Sequence, residues 1–334
     1  MIKTSAPGNV FLLGEHSVVY GRPAMLASIN KRTHVSGDMR EDERVVVDSK
    51  GYGSIASSIE SIVGRMYRSS SDYHEEMDPV KDLVGYFYRE IQSMNKGFEA
   101  SIKSDIPKES GGQSSSTAVL SAMFKFLSDL YNAGVRKESY FPCLYPFQVK
   151  IHGGAASGSE LTSSTFGGYN KVIKTPDSST PVSFENLGNL ELDLVIGDTG
   201  IEAKTGKTVG HVRECWEEDK ERYEGYFDEI AALVERGEEA LAKEDLDLLG
   251  RLMNKNQRIL SRNLGVSHPK LEKLIEAARE AGAYGAKLSG GGGGGIMIAL
   301  CDGDSKKDVK DAIEDAGGVA SKTEVGVEGV RRED

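Results

Sequence analysis

The chain has 334 residues, 38% of them hydrophobic and 28% charged, which is room for one large or two medium globular domains and excludes disordered, coiled-coil and collagen-like classes. Its 41 Lys and Arg against 52 Asp and Glu leave a formal charge of −11 without a basic tract, which argues against nucleic acid and anionic membranes as partners. A small ligand is expected instead, and an anionic one would have to be met by local N–H groups and a few cations.

Cys143, Cys215 and Cys301 are odd in number, far apart and without metal-site spacing, so they read as reduced thiols of a cytoplasmic protein. The opening MIKTSAPGNVFLLGEH breaks at Pro7-Gly8 and has no long apolar run, so it reads as neither signal peptide nor membrane span. The apolar run 10–13 ends in Gly14-Glu15-His16, and Val18-Val19-Tyr20 follows, a pattern that predicts strand, tight turn, strand. An acid and an imidazole after a buried strand often mark a site, although a single His is more often structural. Residues 23–29, 33–36 and 44–48 are rich in β-branched residues and predict further strands, while 51–58 reads as a small-residue loop. After a polar connector at 69–72, Asp78-Pro79 opens a helix with Leu83, Phe87 and Ile91 on one face, and 98–102 predicts a strand.

Residues 110–131, SGGQSSSTAVLSAMFKFLSDLY, run from a loop of small residues into an amphipathic helix on which Ala118, Ala122, Phe126 and Leu130 share a face. The first turn of a helix has N–H groups without intrahelical partners and carries partial positive charge, so a phosphate fits there. Gly111 and Gly112 let backbone approach a ligand, and Ser114, Ser115, Ser116 and Thr117 add hydroxyls. The same residues also describe an ordinary serine cap after a turn. This stretch alone does not decide.

Residues 144–151 predict a strand. After His152 the run GGAASGSELTSSTFGG places Glu160 near the start of a short helix that stops at Gly167-Gly168. Glu160 is the only acid between Glu138 and Asp177, and a carboxylate at a helix start is also simply favourable, by up to ~1 kcal/mol. Residues 176–181, rich in Asp, Ser and Pro, are the expected boundary between domains 1–178 and 179–334. Beyond it come a strand at 190–196, a long helix at 209–236, a second at 246–263 and a third capped by Ser267-His268-Pro269. A strand into Leu288, six glycines at 290–295, a strand at 296–300, a helix at 304–316 and a strand at 319–325 complete an α+β pattern.

Gly290, Gly292 and Gly295 satisfy G-x-G-x-x-G, but they feed a strand instead of a helix, so a dinucleotide fold is rejected. Residues 200–208, GIEAKTGKT, have one residue too many for a P-loop and read as a chance match. No nucleophile elbow, HExxH or CxxC pair supports a hydrolase or zinc site.

Three small-residue segments, each closing on a strand or opening a helix, suit backbone that wraps phosphates. Together they resemble the GHMP kinases, and most closely the mevalonate kinases among them. APGNVFLLGEHSVVYGRPA is similar to that family's first motif, IPKESGGQSSSTA to its nucleotide loop and GAKLSGGGGGGIMIAL to its third motif, and the likeness continues through HGGAASGSELTSSTFGG and GDTG. The resemblance implies a two-domain GHMP kinase fold, with an N-terminal domain like domain 2 of ribosomal protein S5 and a ferredoxin-like C-terminal domain. It implies ATP and Mg²⁺ in the cleft, with Gly111, Gly112, Gln113, Ser114, Ser115 and Ser116 on the phosphates and Ser115 on the metal. Glu15, His16, Ser157 and Gly292 would face the substrate, a small anionic alcohol, and a homodimer is the family's common habit.

Four positions depart from the mevalonate kinase pattern. Asn9 stands where the motif has lysine, Glu160 where it has the catalytic aspartate, Gln148 where it has the metal-binding glutamate, and Gly111-Gly112-Gln113 replaces Gly-Leu-Gly. Catalytic roles for Glu160 and Asn9 and a metal role for Gln148 are thus expected on altered chemistry. The expected activity is transfer of the ATP γ-phosphate to the 5-hydroxyl of mevalonate or of mevalonate 3-phosphate. The remodelled site favours the latter, the acceptor in a variant pathway of acid-living archaea. A 3-hydroxyl kinase related to the diphosphomevalonate decarboxylases, and a nucleotide-binding protein without catalysis, are the alternatives.

Overall fold

The structure is a computed structural model that describes residues 1–66, 75–107, 111–152, 156–175, 182–188 and 192–334. In chain order its first part comprises β1 (Ile2–Leu13), β2 (Pro23–Met39), β3 (Arg44–Ser49), β4 (Gly53–Ser58), α1 (Ile59–Met66), α2 (Asp78–Tyr86), β5 (Phe98–Ser104), α3 (Ser115–Leu130), α4 (Tyr140–Ile151), α5 (Ser159–Phe166), β6 (Tyr169–Lys174) and β7 (Val182–Asn186). The second comprises β8 (Asp193–Asp198), α6 (Thr205–Glu218), α7 (Lys220–Ala242), α8 (Leu246–Arg258), α9 (Pro269–Glu280), β9 (Gly285–Ser289), β10 (Ile296–Cys301), α10 (Lys306–Asp315) and β11 (Val319–Thr323), with a short β12 (Arg331–Arg332) at the end.

The first sheet runs β12-β1-β2-β5-β3-β4, with β6 and β7 added beside β2. One long strand serves two neighbours: Pro23 to Ala27 of β2 pair with β6, and Thr33 to Met39 pair with β5. The second sheet runs β11-β8-β10-β9 with every pair antiparallel, which with α6–α9 and α10 as crossovers is the ferredoxin-like βαββαβ arrangement. Beneath the first sheet, Phe124 of α3 packs edge-on against Phe87 and Tyr140. A second apolar cluster joins the two sheets: Val10, Leu12, Leu13 and Met25 share it with Phe227, Leu249, Leu288 and Ile298.

Several local expectations change. Residues 18–20 form a 3₁₀ turn (Ser17–Tyr20) instead of a strand, because the backbone at Gly14 (φ 101°) and His16 (φ 62°) bends the chain out of the sheet. Residues 53–58, expected as loop, pair along β3 as an edge strand. Residues 144–151, expected as strand, lie in α4, where Tyr140, Leu144 and Phe147 bury one helical face despite Pro146. The single helix expected over 209–236 is two, broken at Asp219, whose carboxylate caps α7 by accepting from Arg222 N. Strands β6, β7 and β12 were not foreseen. The connector at 69–72 and the boundary at 176–181 lie outside the described residues. The three cysteines are free, and among the described residues no helix is long and apolar enough to cross a membrane.

After β11 the chain crosses back to the first sheet, and a buried arginine holds it there. Arg32 donates to Ser5 Oγ at 2.7 Å and to the carbonyl oxygens of Glu328 and Gly329 at 2.7 Å each. Arg32→Met would leave buried acceptors without donors, at about 1–3 kcal/mol each. It is expected to lower unfolding free energy by at least that much in urea and to speed hydrogen exchange at Val330 and Glu333, whose amides bond Thr165 O and Lys3 O. Unchanged exchange in the tail would show that Arg32 does not tie it down.

Candidate active site

The glycines of two distant segments meet backbone to backbone. At Gly112 (φ 95°) a Cβ would run into the carbonyl oxygen of Ser289, and at Gly290 (φ 90°) it would stand 2.8 Å from Gly112 Cα. The nucleotide loop and the β9–β10 turn therefore interlock only because neither carries a side chain there. Their junction opens into a cavity of about 570 Å³. Its lining combines apolar side chains, Tyr52, Met77, Pro79, Val80 and Leu120, with Gly111, Gly112, Ser114, Ser115 and Ser116 at the first turn of α3, a stretch suited to phosphates.

Glu160 stands in the first turn of α5 and on the wall of this cavity. Gln148 Nε2 donates to its Oε2 at 2.9 Å, and His152 Nε2 lies 3.8 Å from the same oxygen. Ser114 Oγ is 2.8 Å from Asn9 Oδ1 and 3.3 Å from Glu160 Oε1, so its single proton goes mainly to Asn9. Asn9 Nδ2 in turn donates to the main-chain oxygen of Glu160 at 3.0 Å and to Ser164 Oγ at 3.2 Å. One buried amide thus joins β1, the nucleotide loop and α5.

A second, small cavity of about 70 Å³ lies on the other side of Glu160, lined by Phe11, Glu15, His16, Val18, Ser157 and Val209 among others. The two cavities share His152, Glu160, Thr205, Gly290 and Gly291. A group bound in one thus meets a group bound in the other at the Glu160 carboxylate.

Behind the small cavity Glu15 and Lys287 form a fully buried ion pair, and Lys287 Nζ also donates to Leu288 O at 2.6 Å. Burial pushes the Glu15 carboxyl up and the Lys287 ammonium down from their ordinary values, each opposed by the other's charge. Each charge thus offsets part of the cost of burying the other. His16 Nε2 bonds Gly291 O at 3.1 Å, and burial, reinforced by the Lys287 charge, lowers its pKa to about 4.

Of the residues expected at the site, Gly111, Gly112, Ser114, Ser115, Ser116 and Glu160 line the larger cavity and Glu15, His16, Ser157 and Glu160 the smaller. Four stand elsewhere. Asn9 reaches neither cavity and works behind the carboxylate. Gln113 is buried, its carbonyl accepting from Asn9 N at 3.3 Å. Gln148, expected on the metal, is buried behind Glu160 with its Oε1 unpartnered. Gly292 (φ 77°) faces the Val266 carbonyl, and its neighbours Gly290 and Gly291 line the site in its place. Thr205 was missed because it sits in the segment read as a chance P-loop match. That segment is no P-loop, yet it brings Thr205 to both cavities. Lys287 was missed although a lysine inside the apolar strand GAKLS signals a buried charge with a partner.

A glycine and serine cradle beside a helix start, opposite a carboxylate shared with a second pocket, suits phosphoryl transfer, which needs mainly positioning and charge stabilisation. The GHMP kinase N-terminal domain model matches residues 79–168, and the GHMP kinase C-terminal model matches residues 238–319. Mevalonate kinases of Thermococcus sibiricus and Pyrococcus horikoshii are 35% and 36% identical to this chain, each alignment covering 100% of it and 98% of the relative. The crystal structure of L. major mevalonate kinase in complex with R-mevalonate superposes with a TM-score of 0.77 at 26% identity, over 98% of this chain and 96% of that one. The chain belongs to the GHMP kinases, in the mevalonate kinase branch, and is an ATP-dependent phosphotransferase with an alcohol as acceptor.

The low pKa of His16 carries a stability consequence. Its folded value lies below the ordinary 6.5, so as pH falls the unfolded chain takes up the proton first and stability is lost. Between pH 7 and pH 3 the wild type is expected to lose about 3 kcal/mol more than His16→Asn, mostly between about pH 6.5 and 4. Asparagine tolerates the positive φ. Urea titrations across that range check this, and parallel curves for the two proteins would refute it.

Proposed function

We propose that this enzyme transfers the γ-phosphate of ATP to the 5-hydroxyl of mevalonate. The observation that carries this reading is the shared Glu160 wall between a nucleotide-sized cavity and a small one that also holds Glu15 and His16. The kinship with mevalonate kinases supports the acceptor. So does the lining of the small cavity, which among the described residues holds two carboxylates and two histidines and neither lysine nor arginine. A 3-phosphate would bring about two further negative charges to a pocket without a strong cation. This weighs against mevalonate 3-phosphate, the acceptor favoured on sequence alone.

ATP would lie with its base among Tyr52, Met77 and Val80 and its phosphates along Gly111 to Ser116. Glu160, oriented by Gln148 and backed by Asn9 and Ser114, takes the proton of the 5-hydroxyl as that oxygen bonds to phosphorus and the bond to the β-phosphate oxygen breaks. The residues present fit a magnesium ion. Ser115 offers a hydroxyl on the cavity wall, and magnesium needs few protein oxygens when phosphates and water fill its shell. When bound, the ion supplies neutralisation of the phosphate charge. Asn9 and Gln148 act as positioning residues for Glu160.

With ATP and Mg²⁺, mevalonate is expected to give a product whose phosphorus couples to the C5 methylene protons in NMR, and mevalonate 3-phosphate to give none. Phosphate on O3, or turnover of the 3-phosphate alone, would replace this reading. Glu160→Gln is expected to lower kcat by about 10²- to 10⁴-fold with KM for ATP little changed. Near-normal kcat would remove Glu160 as the base.

A further inference from the structure

The turn that carries Glu15 and His16 is fixed less by its own strand than by the second domain. Lys287 and Ser289 alternate along β9 and so project from one face of it, toward β1. Ser289 Oγ accepts from Phe11 N at 3.0 Å, Asn256 Oδ1 of α8 accepts from Gly14 N at 3.2 Å, and Lys287 Nζ donates to Glu15 Oε1. A lysine ammonium has three protons, and two are spoken for by Glu15 and Leu288 O.

The carboxylate is only half used. Glu15 lines the small cavity, and its Oε2 is buried without a hydrogen-bond partner. An unpaired buried carboxylate oxygen is costly, and a ligand bound in the cavity that Glu15 lines would supply the missing donor. The charge that makes Glu15 tolerable there comes from Lys287 behind the cavity; among the described residues the basic groups that line it are His16 and His152, and His16 is neutral at physiological pH.

Resting on the acceptor reading above, we propose that Lys287 is a positioning residue that sets acceptor specificity. It holds Glu15 ionised so that Oε2 receives a second hydroxyl of the substrate, distinct from the one phosphorylated. The enzyme therefore selects a dihydroxy acid over its monohydroxy analogue. For mevalonate the second hydroxyl is that on C3. Removing either charge alone strands the other in the interior, whereas replacing both by neutral residues of similar size leaves no unpaired charge.

The test measures steady-state kinetics of the wild type and of the double variant Glu15→Gln/Lys287→Met with mevalonate and with 3-methyl-5-hydroxypentanoate, which lacks the C3 hydroxyl. The wild type is expected to show a kcat/KM about 10- to 100-fold lower for the analogue, the loss typical of one hydrogen bond to a charged group. The double variant is expected to raise KM for mevalonate by a similar factor, to leave KM for ATP within a few fold, and to treat the two acceptors alike. A purely structural role for the pair would not produce that split. A wild type indifferent to the C3 hydroxyl overturns the proposal, and it needs no variant to fold. A double variant with wild-type discrimination overturns it too. A wild type inactive on mevalonate itself would remove the acceptor reading, and the inference with it.

Discussion

Everything in the active site depends on one close approach: Gly112 of the first domain lies against the backbone of Ser289 and Gly290 of the second, while Gly111, packed on Ala203, presents its carbonyl to Gly295. That contact brings the first turn of α3 to a hairpin loop more than 170 residues away in the chain. Any Cβ at Gly112 would push the two apart and open the floor on which a triphosphate would rest. The cleft is therefore held by packed backbone, which can approach a polyanion without putting bulk or negative charge in its way.

Around that floor the charge is sparing. A chain with a net charge of −11 places two carboxylates, Glu15 and Glu160, at the small cavity and handles each differently. Glu15 is neutralised by a buried lysine from the second domain. Glu160 accepts from the neutral Gln148 amide, with the Ser114 hydroxyl 3.3 Å away and an imidazole nearby. The first arrangement ties one carboxylate to a buried cation, and the second leaves the other among neutral donors on a wall shared by both cavities. Asn9 suits this division. Its amide bonds both Ser114 and the Glu160 main chain, so it positions two elements where a cation would instead have paired with the carboxylate.

The two domains cooperate through a common apolar cluster and a few buried polar ties. Leu13 and Met25 share a core with Leu249 and Leu288, while Ser289 and Asn256 take up the free N–H groups of the β1 end and its turn. The tail after β11 returns to the first sheet under Arg32, so both domains include residues distant in sequence. The small cavity is consequently a product of both, and neither alone would set its shape.

Residues 110–131 show what was legible in advance. The helix, its apolar face and the glycine-serine entry are local properties, set by 3.6-residue periodicity and by which residues tolerate positive φ, and they stand as read. Glu160 at the start of a short helix and the six-glycine turn between two strands were legible for the same reason, and the kinase family was legible through the resemblance of three motifs to those of known members. Residues 144–151 were misread because a short apolar run fits strand and buried helix equally, and only the neighbours of Tyr140, Leu144 and Phe147 choose between them. The pairing of Lys287 with Glu15, the arrival of Thr205 at both cavities and the withdrawal of Asn9, Gln113, Gln148 and Gly292 from the pocket walls were decided by tertiary structure. Spacing along a chain specifies which backbone can bend and which face can be buried. Which charge meets which partner across 272 residues depends on how two sheets dock, and that is set by the packing of the whole core.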